Sequence, residues 1–230
     1  YVRAYVINDT GIWYSKEMSF YTPYEGGSVN LSANGTANSY IVPPVYSSYV
    51  FDATVKGNST ESVGTPASAV VLWESLLTSN YVEVGCVIES VSLEDGQVKF
   101  QLPFDPKPGN ALVAVKDADG TILWSWHLWV VDFDPVKTGQ VYISGNMLMD
   151  RNLGALSVIP TSGNYGAYGL FYQWGRKDPF TIPDRGTTAP EGAITAVYED
   201  LSSITPTIYN PTVVYDQSFW GYDDTLWGSV

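Results

Sequence analysis

Residues 109–130 read GNALVAVKDADGTILWSWHLWV, and this stretch decides the fold class of the chain. Its two halves are rich in Val, Leu, Ile and Trp, which favour strands, and they meet at Asp119-Gly120, a pair that supplies the positive φ of a tight hairpin turn. Alternation in the second half gives one face of a strand to Trp124, Trp126, Leu128 and Val130. We therefore predict an antiparallel hairpin that buries Trp124 and Trp126 on the same side, with Trp129 in the core of the other face.

The same pattern extends over residues 28–131, which predict an antiparallel β-sandwich. Val91–Leu93 faces Val98–Leu102 across a second Asp-Gly turn at Asp95-Gly96. Val82, Val84, Cys86 and Ile88 alternate with polar residues, which predicts a further strand with Cys86 as a buried, inert thiol. The stretch 117–120 has too few ligands for a calcium loop, so we expect a chelator to leave the melting temperature of this sandwich unchanged.

Composition excludes several function classes. The 230-residue chain carries 24 acidic and 11 basic residues, and this net charge of −13 opposes binding to nucleic acid. Cys86 and His127 each occur once, so no intrachain disulfide and no Cys/His zinc site can form. His127 would have to be the base of any Ser-His-Asp triad, yet no Gly-x-Ser-x-Gly turn presents a nucleophile. A mechanism that uses carboxylates alone is not excluded by the composition. The sequence contains no run of about 18 apolar residues, so it predicts no membrane span.

The first twenty residues predict a β-hairpin around the turn at 8–11, followed by a linker at 22–27. A single hairpin is only marginally stable in water. We therefore expect its partner strands to precede Tyr1 and the chain to be part of a longer protein.

Residues 168–180, YGLFYQWGRKDPF, join a run of aromatic residues to the basic pair Arg176-Lys177. Alternation predicts a strand that buries one face, including Trp174. At its end, Arg176 is expected to pair with Asp150 or Asp178, and Arg151 with the same kind of partner, which would lock the segment in place. A ligand-facing role for Arg176 is the alternative.

Three blocks of the chain resemble modules of Bacteroidetes surface proteins. YVRAYVINDTGIWYSKEMSFYT, residues 1–22, resembles the closing strands of a fibronectin type III-like module. LSANGTANSYIVPP, VKGNS and the stretch 109–130 resemble an Ig-like module of fimbrillin-type surface lipoproteins. MLMDRNLGA and YGLFYQWGRKDPF are similar to the start of the Fibrobacter succinogenes major paralogous domain, whose fold is related to C-type lectin-like domains.

This resemblance implies a mainly β chain in which a tandem of fibronectin-like and Ig-like β-sandwiches is followed by a partial α+β C-type lectin-like domain. The implied domains are residues 1–22, 23–131 and 132–230. The second half of the lectin-like domain is expected after Trp227. The implied place is the cell surface, on the extracellular face of the outer membrane, with no membrane span in the chain itself.

The resemblance implies a non-catalytic cell-surface module of an outer-membrane or pilus-associated protein that serves in adhesion or glycan binding. The implied partners are host or dietary glycans or other outer-membrane proteins. The candidate ligand-binding residues are Trp220, Tyr222, Asp223, Asp224, Trp227 and Arg176. No cofactor is expected, although Asp223-Asp224 could hold calcium, as loops of lectin-like domains often do. Two alternatives stay open: a structural spacer or accessory subunit, and a glycoside hydrolase that uses two carboxylates across a cleft.

Overall fold

The computed structural model describes residues 5–15, 28–76, 79–159, 165–172, 176–180, 195–197 and 205–215, and the chain is mainly β. The α-helices are α1 (Pro135–Thr138) and α2 (Thr205–Tyr209), with a 3-10 turn at Tyr165–Ala167. In the described residues no helix has the length and apolar character needed to cross a membrane. The strands are β1 (Tyr5–Asn8), β2 (Gly11–Tyr14), β3 (Val29–Asn30), β4 (Ser39–Val42), β5 (Ser48–Asp52), β6 (Ser68–Leu76), β7 (Ser79–Val82), β8 (Ser90–Glu94), β9 (Gln97–Gln101), β10 (Gly109–Lys116), β11 (Ile122–Val130), β12 (Gln140–Val141), β13 (Met147–Leu148), β14 (Phe171–Tyr172), β15 (Pro179–Phe180), β16 (Thr195–Val197) and β17 (Val213–Tyr215).

Two sheets form the centre of the structure. The five-stranded sheet has the order β4-β11-β10-β6-β7, and the four-stranded sheet has the order β3-β5-β9-β8. Neighbouring strands are antiparallel except for β4 beside β11 and β3 beside β5, which are parallel. The remaining strands form two-stranded pairs: β1-β2, β12-β13, β14-β15 and β16-β17.

The main core lies between the two sheets, in a β-sandwich-like arrangement. Phe51 of β5 contacts Trp126 of β11 and Tyr40 of β4, with ring centroids 5.2 and 5.1 Å apart. Trp124 and Trp126 are both buried in this core. Their predicted burial on one strand face is therefore confirmed. Aromatic side chains dominate the stability of such a core, because each removes about 150–250 Å² from water.

The predicted Asp-Gly turns are confirmed. Asp95 and Gly96 join β8 to β9 with φ values of 50° and 77°, the left-handed conformation that a two-residue type I′ turn requires. In the turn between β10 and β11, the Asp117 carboxylate accepts the N–H groups of Asp119 and Thr121 at 3.0 and 2.8 Å. Asp117 is therefore a turn residue, and β10 and β11 pair antiparallel as predicted.

The first hairpin is confirmed for residues 5–14, where β1 pairs with β2 and Val6 faces Trp13. The Asn8 carboxamide oxygen accepts the N–H of Thr10 at 3.0 Å, which stabilises the turn. The large apolar side chains of both strands are exposed in this structure.

The predicted strand over 82–88 is wrong. Strand β7 ends at Val82, residues 84–87 form a turn, and Val84 and Cys86 are exposed. The cause is Glu74 of β6, whose buried carboxylate accepts four consecutive N–H groups, from Gly85 at 3.1 Å and from Cys86, Val87 and Ile88 at 2.8 Å. The backbone has to curl around one carboxylate to deliver four donors, and this ends the alternation.

Burial and hydrogen bonding act in opposite directions on Glu74. Burial raises the pKa of its carboxyl group, and the four N–H bonds oppose that rise. The carboxylate thus substitutes for the strand partners that the N–H groups of 85–88 would otherwise need.

The outer face of the five-stranded sheet is covered as well, by residues that follow β11 in the chain. Trp129 is buried there with Val131 and Phe133, in a small cluster that Ile41 and Leu156 complete. The Asn110 side chain donates to the carbonyl oxygen of Gly154 at 3.1 Å. The expected core position of Trp129 is confirmed, and the sheet supports residues 154–156 of the segment that follows.

Candidate functional site

Most of the predicted ligand residues lie outside the described residues. This applies to Trp220, Tyr222, Asp223, Asp224 and Trp227, and also to Trp174. Arg176 is the one residue of the predicted ligand set that the structure describes.

Arg176 is buried, and its contacts are structural. The guanidinium donates to the carbonyl oxygens of Pro211, at 2.7 Å, and Val213, and it stacks on the ring of Phe180 at 4.3 Å. The two carboxylates that the sequence offered as its partners are paired with neighbours in the chain, Asp150 with Arg151 and Asp178 with Lys177. Arg176 thus holds residues 211–213 against β15.

The structure describes only part of the strand predicted over the aromatic run. Within the described residues this part is β14, Phe171–Tyr172, and both side chains are exposed. Residues 173–175, with Trp174, lie outside the described residues, so the expected buried face of this strand stays a prediction. Pairing with β15 satisfies the backbone of β14 at Phe171↔Phe180 and Tyr172↔Pro179.

Lys177, Ser125 and Asp178 form a polar cluster on the outer face of the sheet. The Lys177 ammonium donates to Ser125 Oγ at 2.6 Å and to the two Asp178 carboxylate oxygens at 2.7 and 2.8 Å, while Ser125 Oγ donates to Asp178 at 2.9 Å. Burial lowers the pKa of Lys177, and the Asp178 carboxylate opposes that shift. A Ser beside a Lys is a pairing used by some nucleophilic enzymes. Here Ser125 is fully buried and cannot reach a substrate.

His127 belongs to a chain of hydrogen bonds that crosses the same face. Asn110 donates through its amide nitrogen to Gly154, so its oxygen accepts from His127 Nε2 at 2.9 Å. The other ring nitrogen, Nδ1, then accepts from Ser39 Oγ at 2.8 Å. Burial lowers the pKa of His127 to about 3, so the ring is neutral near pH 7. This role is structural, in line with the sequence, which gave no support for His127 as a catalytic base.

The buried imidazole predicts that stability falls in mild acid. The unfolded state takes up a proton near the ordinary pKa of about 6.5, whereas the folded state does not until about 3. The stabilisation is therefore complete above pH 6.5 and is lost as the pH falls towards 3. Between pH 7 and pH 5 we expect His127 to account for a loss of about 2 kcal/mol in the free energy of unfolding.

Urea unfolding at the two pH values measures this loss. His127→Gln, which keeps a donor and an acceptor but does not titrate, should lose about 2 kcal/mol less than the wild type over the same interval. Equal losses in both proteins would show that His127 does not titrate in this way.

An open polar hollow lies at the block 149–152. Its volume is about 300 Å³, and it is lined by residues 149–152 together with Ser157, Val158, Ala167 and Tyr168. We call it the Asp150 hollow. Tyr168 forms part of the rim with 54% of its surface exposed. The side-chain amide of Asn152 donates to the carbonyl oxygen of Tyr168 at 3.1 Å, which ties the two sides of the hollow together.

Two glycines allow the walls of this hollow to approach each other. Gly154 and Gly169 have φ values of +77° and +76°. A Cβ on Gly154 would lie 2.4 Å from Leu170 Cγ, and one on Gly169 would lie 2.6 Å from the Leu153 carbonyl oxygen. The shape of the hollow therefore depends on glycine at both positions.

The charges in the hollow are matched. Arg151 Nε lies 2.8 Å from one carboxylate oxygen of Asp150, and Nη2 lies 3.3 Å from the other. The guanidinium also stacks on the ring of Phe133 at 4.2 Å. The hydrogen bond from Arg151 lowers the pKa of Asp150. The predicted pairing of Arg151 with an acidic residue is thus present, and its partner is the preceding residue.

The sequence pointed to Arg176 and missed Tyr168. Both residues stand in the quoted blocks, and the glycine that follows Tyr168 was the one local signal of a close backbone approach. In the part of the chain that the structure describes, no group of three or more His, Cys, Asp or Glu side chains is placed to hold a metal ion.

The Ig-like, lectin-like and fibronectin-like assignments rest on the sequence blocks quoted above and stay predictions. The two packed sheets and the Asp150 hollow are what the described residues themselves provide. Comparisons with protein-family models, with curated proteins and with solved structures found no match for this chain.

Proposed function

We propose that this chain is a non-catalytic module of a bacterial surface protein and that it binds glycans in the Asp150 hollow. The observation that carries the proposal is the exposed ring of Tyr168 at the rim of an open hollow that also contains Asn152 and Asp150. A sugar ring presents C–H groups on its faces and hydroxyl groups at its edge. An aromatic ring suits the first, and amide and carboxylate groups suit the second.

The chemistry of the described residues supports binding without catalysis. Asp150 is the one carboxylate among the described residues that line the hollow, and it is held by Arg151. A glycoside hydrolase uses two carboxyl groups about 5–10 Å apart, one of them as an acid with a raised pKa. The pKa of Asp150 is lowered instead. Ser125 and His127 are buried, which also argues against catalysis of acyl transfer by these two residues.

Strand order supports an Ig-like fold for residues 28–131. We letter the strands in chain order, so that β3 is strand A and β4 is a second A strand. The four-stranded sheet then has the order A-B-E-D. The other sheet contains C′-C-F-G. This is the order of an immunoglobulin-type sandwich. The parallel pairing of β3 with β5 departs from that pattern. A location on the outer-membrane surface, a lectin-like identity for 132–230 and calcium at Asp223-Asp224 rest on the resemblance alone.

Glycan binding by the intact 230-residue chain tests the proposed function. On an array of immobilised oligosaccharides we expect binding, and Tyr168→Ala should weaken it about fivefold, because a stacked aromatic contributes about 1 kcal/mol. Tyr142→Ala is the matched control, since Tyr142 is 51% exposed and does not line the hollow. No binding to any glycan, or equal losses in the two variants, would contradict the proposal.

A structural role is the second candidate, and the first hairpin favours it. Six large apolar side chains of β1 and β2 are exposed on its two faces: Tyr5, Val6, Ile7, Ile12, Trp13 and Tyr14. Exposed apolar clusters of this kind mark contacts with protein. In contrast, the described part of 28–131 exposes only Val84 and Phe104 among its large apolar side chains, which does not favour a flat docking surface on the sandwich. A chain that binds no glycan would make the spacer or accessory-subunit role the better proposal.

A further inference from the structure

We infer that the Asp150 hollow selects uncharged sugars and rejects anionic ones, an inference that rests on the glycan-binding function proposed above. The class of ligand follows from how Arg151, the one cation among the described residues of the lining, is used.

The charge of Arg151 is matched within the protein by Asp150. Two of its nitrogens bond to the two oxygens of Asp150, and Phe133 stacks against the guanidinium plane at 4.2 Å. Only 12% of the Arg151 side chain is exposed, against 21% for Asp150. A sugar carboxylate or sulfate on the same edge of the guanidinium would have to displace Asp150 from a two-bond ion pair, and one on the remaining N–H groups would lie close to the like charge of Asp150.

The other lining residues are neutral. Met149, Asn152, Ser157, Val158, Ala167 and Tyr168 carry no charge that could attract an anion. The chain as a whole has a net charge of −13, so the field outside the hollow repels anions over about one Debye length, roughly 8 Å at physiological salt.

The rim is better suited to the C–H faces of a neutral sugar. Tyr168, Val158 and Met149 expose 54%, 47% and 43% of their surface beside the polar floor. Apolar contact of this kind is not weakened by salt, whereas recognition of an anion is. Weak salt dependence is therefore an expected property of this site.

The test compares two hexasaccharides of equal length, neutral cellohexaose and anionic hexagalacturonate, by calorimetry on the intact chain at 50 and 300 mM NaCl. We expect cellohexaose to bind at least about tenfold more tightly, with less than about a twofold change in Kd between the two salt concentrations. Asp150→Asn releases the charge of Arg151 and should bring the two affinities at least about fivefold closer at 50 mM NaCl.

The outcomes separate the inference from the function on which it rests. Tighter binding of hexagalacturonate that weakens with salt and is lost in Arg151→Ala would overturn the preference for uncharged sugars while glycan binding stands. Binding of cellohexaose that Tyr168→Ala leaves unchanged would place the site elsewhere and overturn the inference too. If neither sugar binds, and a neutral and an acidic glycan array are also negative, the proposed function fails and takes the inference with it.

Discussion

Replacing Glu74 by Ala is expected to lower the free energy of unfolding by about 4 kcal/mol, which corresponds to a fall of roughly 10 °C in the melting temperature. The substitution removes the acceptor of four N–H bonds, of which those from Val87 and Ile88 are fully buried. Each buried donor that loses its partner costs about 1–3 kcal/mol, and the missing side chain adds a cavity. Thermal unfolding followed by circular dichroism measures the loss.

Two further variants show whether the lost acceptor causes the effect. Glu74→Gln keeps the volume and one acceptor oxygen, so it should lie between the wild type and Glu74→Ala in stability. Glu83→Ala is the matched control, because Glu83 stands exposed in the same loop and lends only its backbone carbonyl to the turn. A loss in Glu83→Ala as large as in Glu74→Ala would assign the effect to the loop as such and not to the carboxylate.

The same loop shows where prediction from the sequence succeeds and where it stops. The hairpins at Asp95-Gly96 and Asp119-Gly120 were predictable because turn chemistry and alternation are local properties of a few residues. Residues 82–88 carry an equally good alternation, yet they form a turn because Glu74, 11 to 14 positions earlier, collects their N–H groups. The spacing of apolar and polar residues within 82–88 gives no indication that Glu74 is their partner.

Long-range polar contacts explain the misses at the site as well. Ser125 and Asp178 are 53 positions apart and meet only because residues 176–178, which lead into β15, lie on the outer face of the sheet. The sequence could show that Trp124 and Trp126 share a face and that Trp129 is buried on the opposite one, but it could not show which residues cover that opposite face. For the same reason it could not decide between Asp150 and Asp178 as partners of Arg176, since each carboxylate found a basic residue next to it in the chain.

The residues that cover the outer face of the sheet also hold the Asp150 hollow in place. The Asn110 bond to Gly154 and the stacking of Arg151 on Phe133 fix the floor of the hollow to the sandwich. If the hollow binds glycans as proposed, a site held in this way needs little ordering when the ligand arrives, which favours affinity even in a shallow hollow. Weak single sites of this kind gain strength when many copies bind the same surface.

The second large effect is expected at Lys177, where removal of one charge should cost more than removal of both. Lys177→Met leaves Asp178, which is 3% exposed, as a buried carboxylate without its counterion. Such a change costs about 3–5 kcal/mol. Lys177→Met combined with Asp178→Asn removes the charge of both residues and keeps an acceptor for Ser125, so we expect the double variant to recover at least about 2 kcal/mol of the loss.

Urea unfolding of the wild type, the two single variants and the double variant gives the coupling energy between Lys177 and Asp178 directly. The matched control is Lys107→Met, because Lys107 and Asp105 form a pair whose side chains are 58% and 78% exposed. Solvent screens that pair, and its loss should change stability by less than about 1 kcal/mol. Additive losses in the double variant would mean that the cluster stabilises the chain by packing and not by the pairing of its charges.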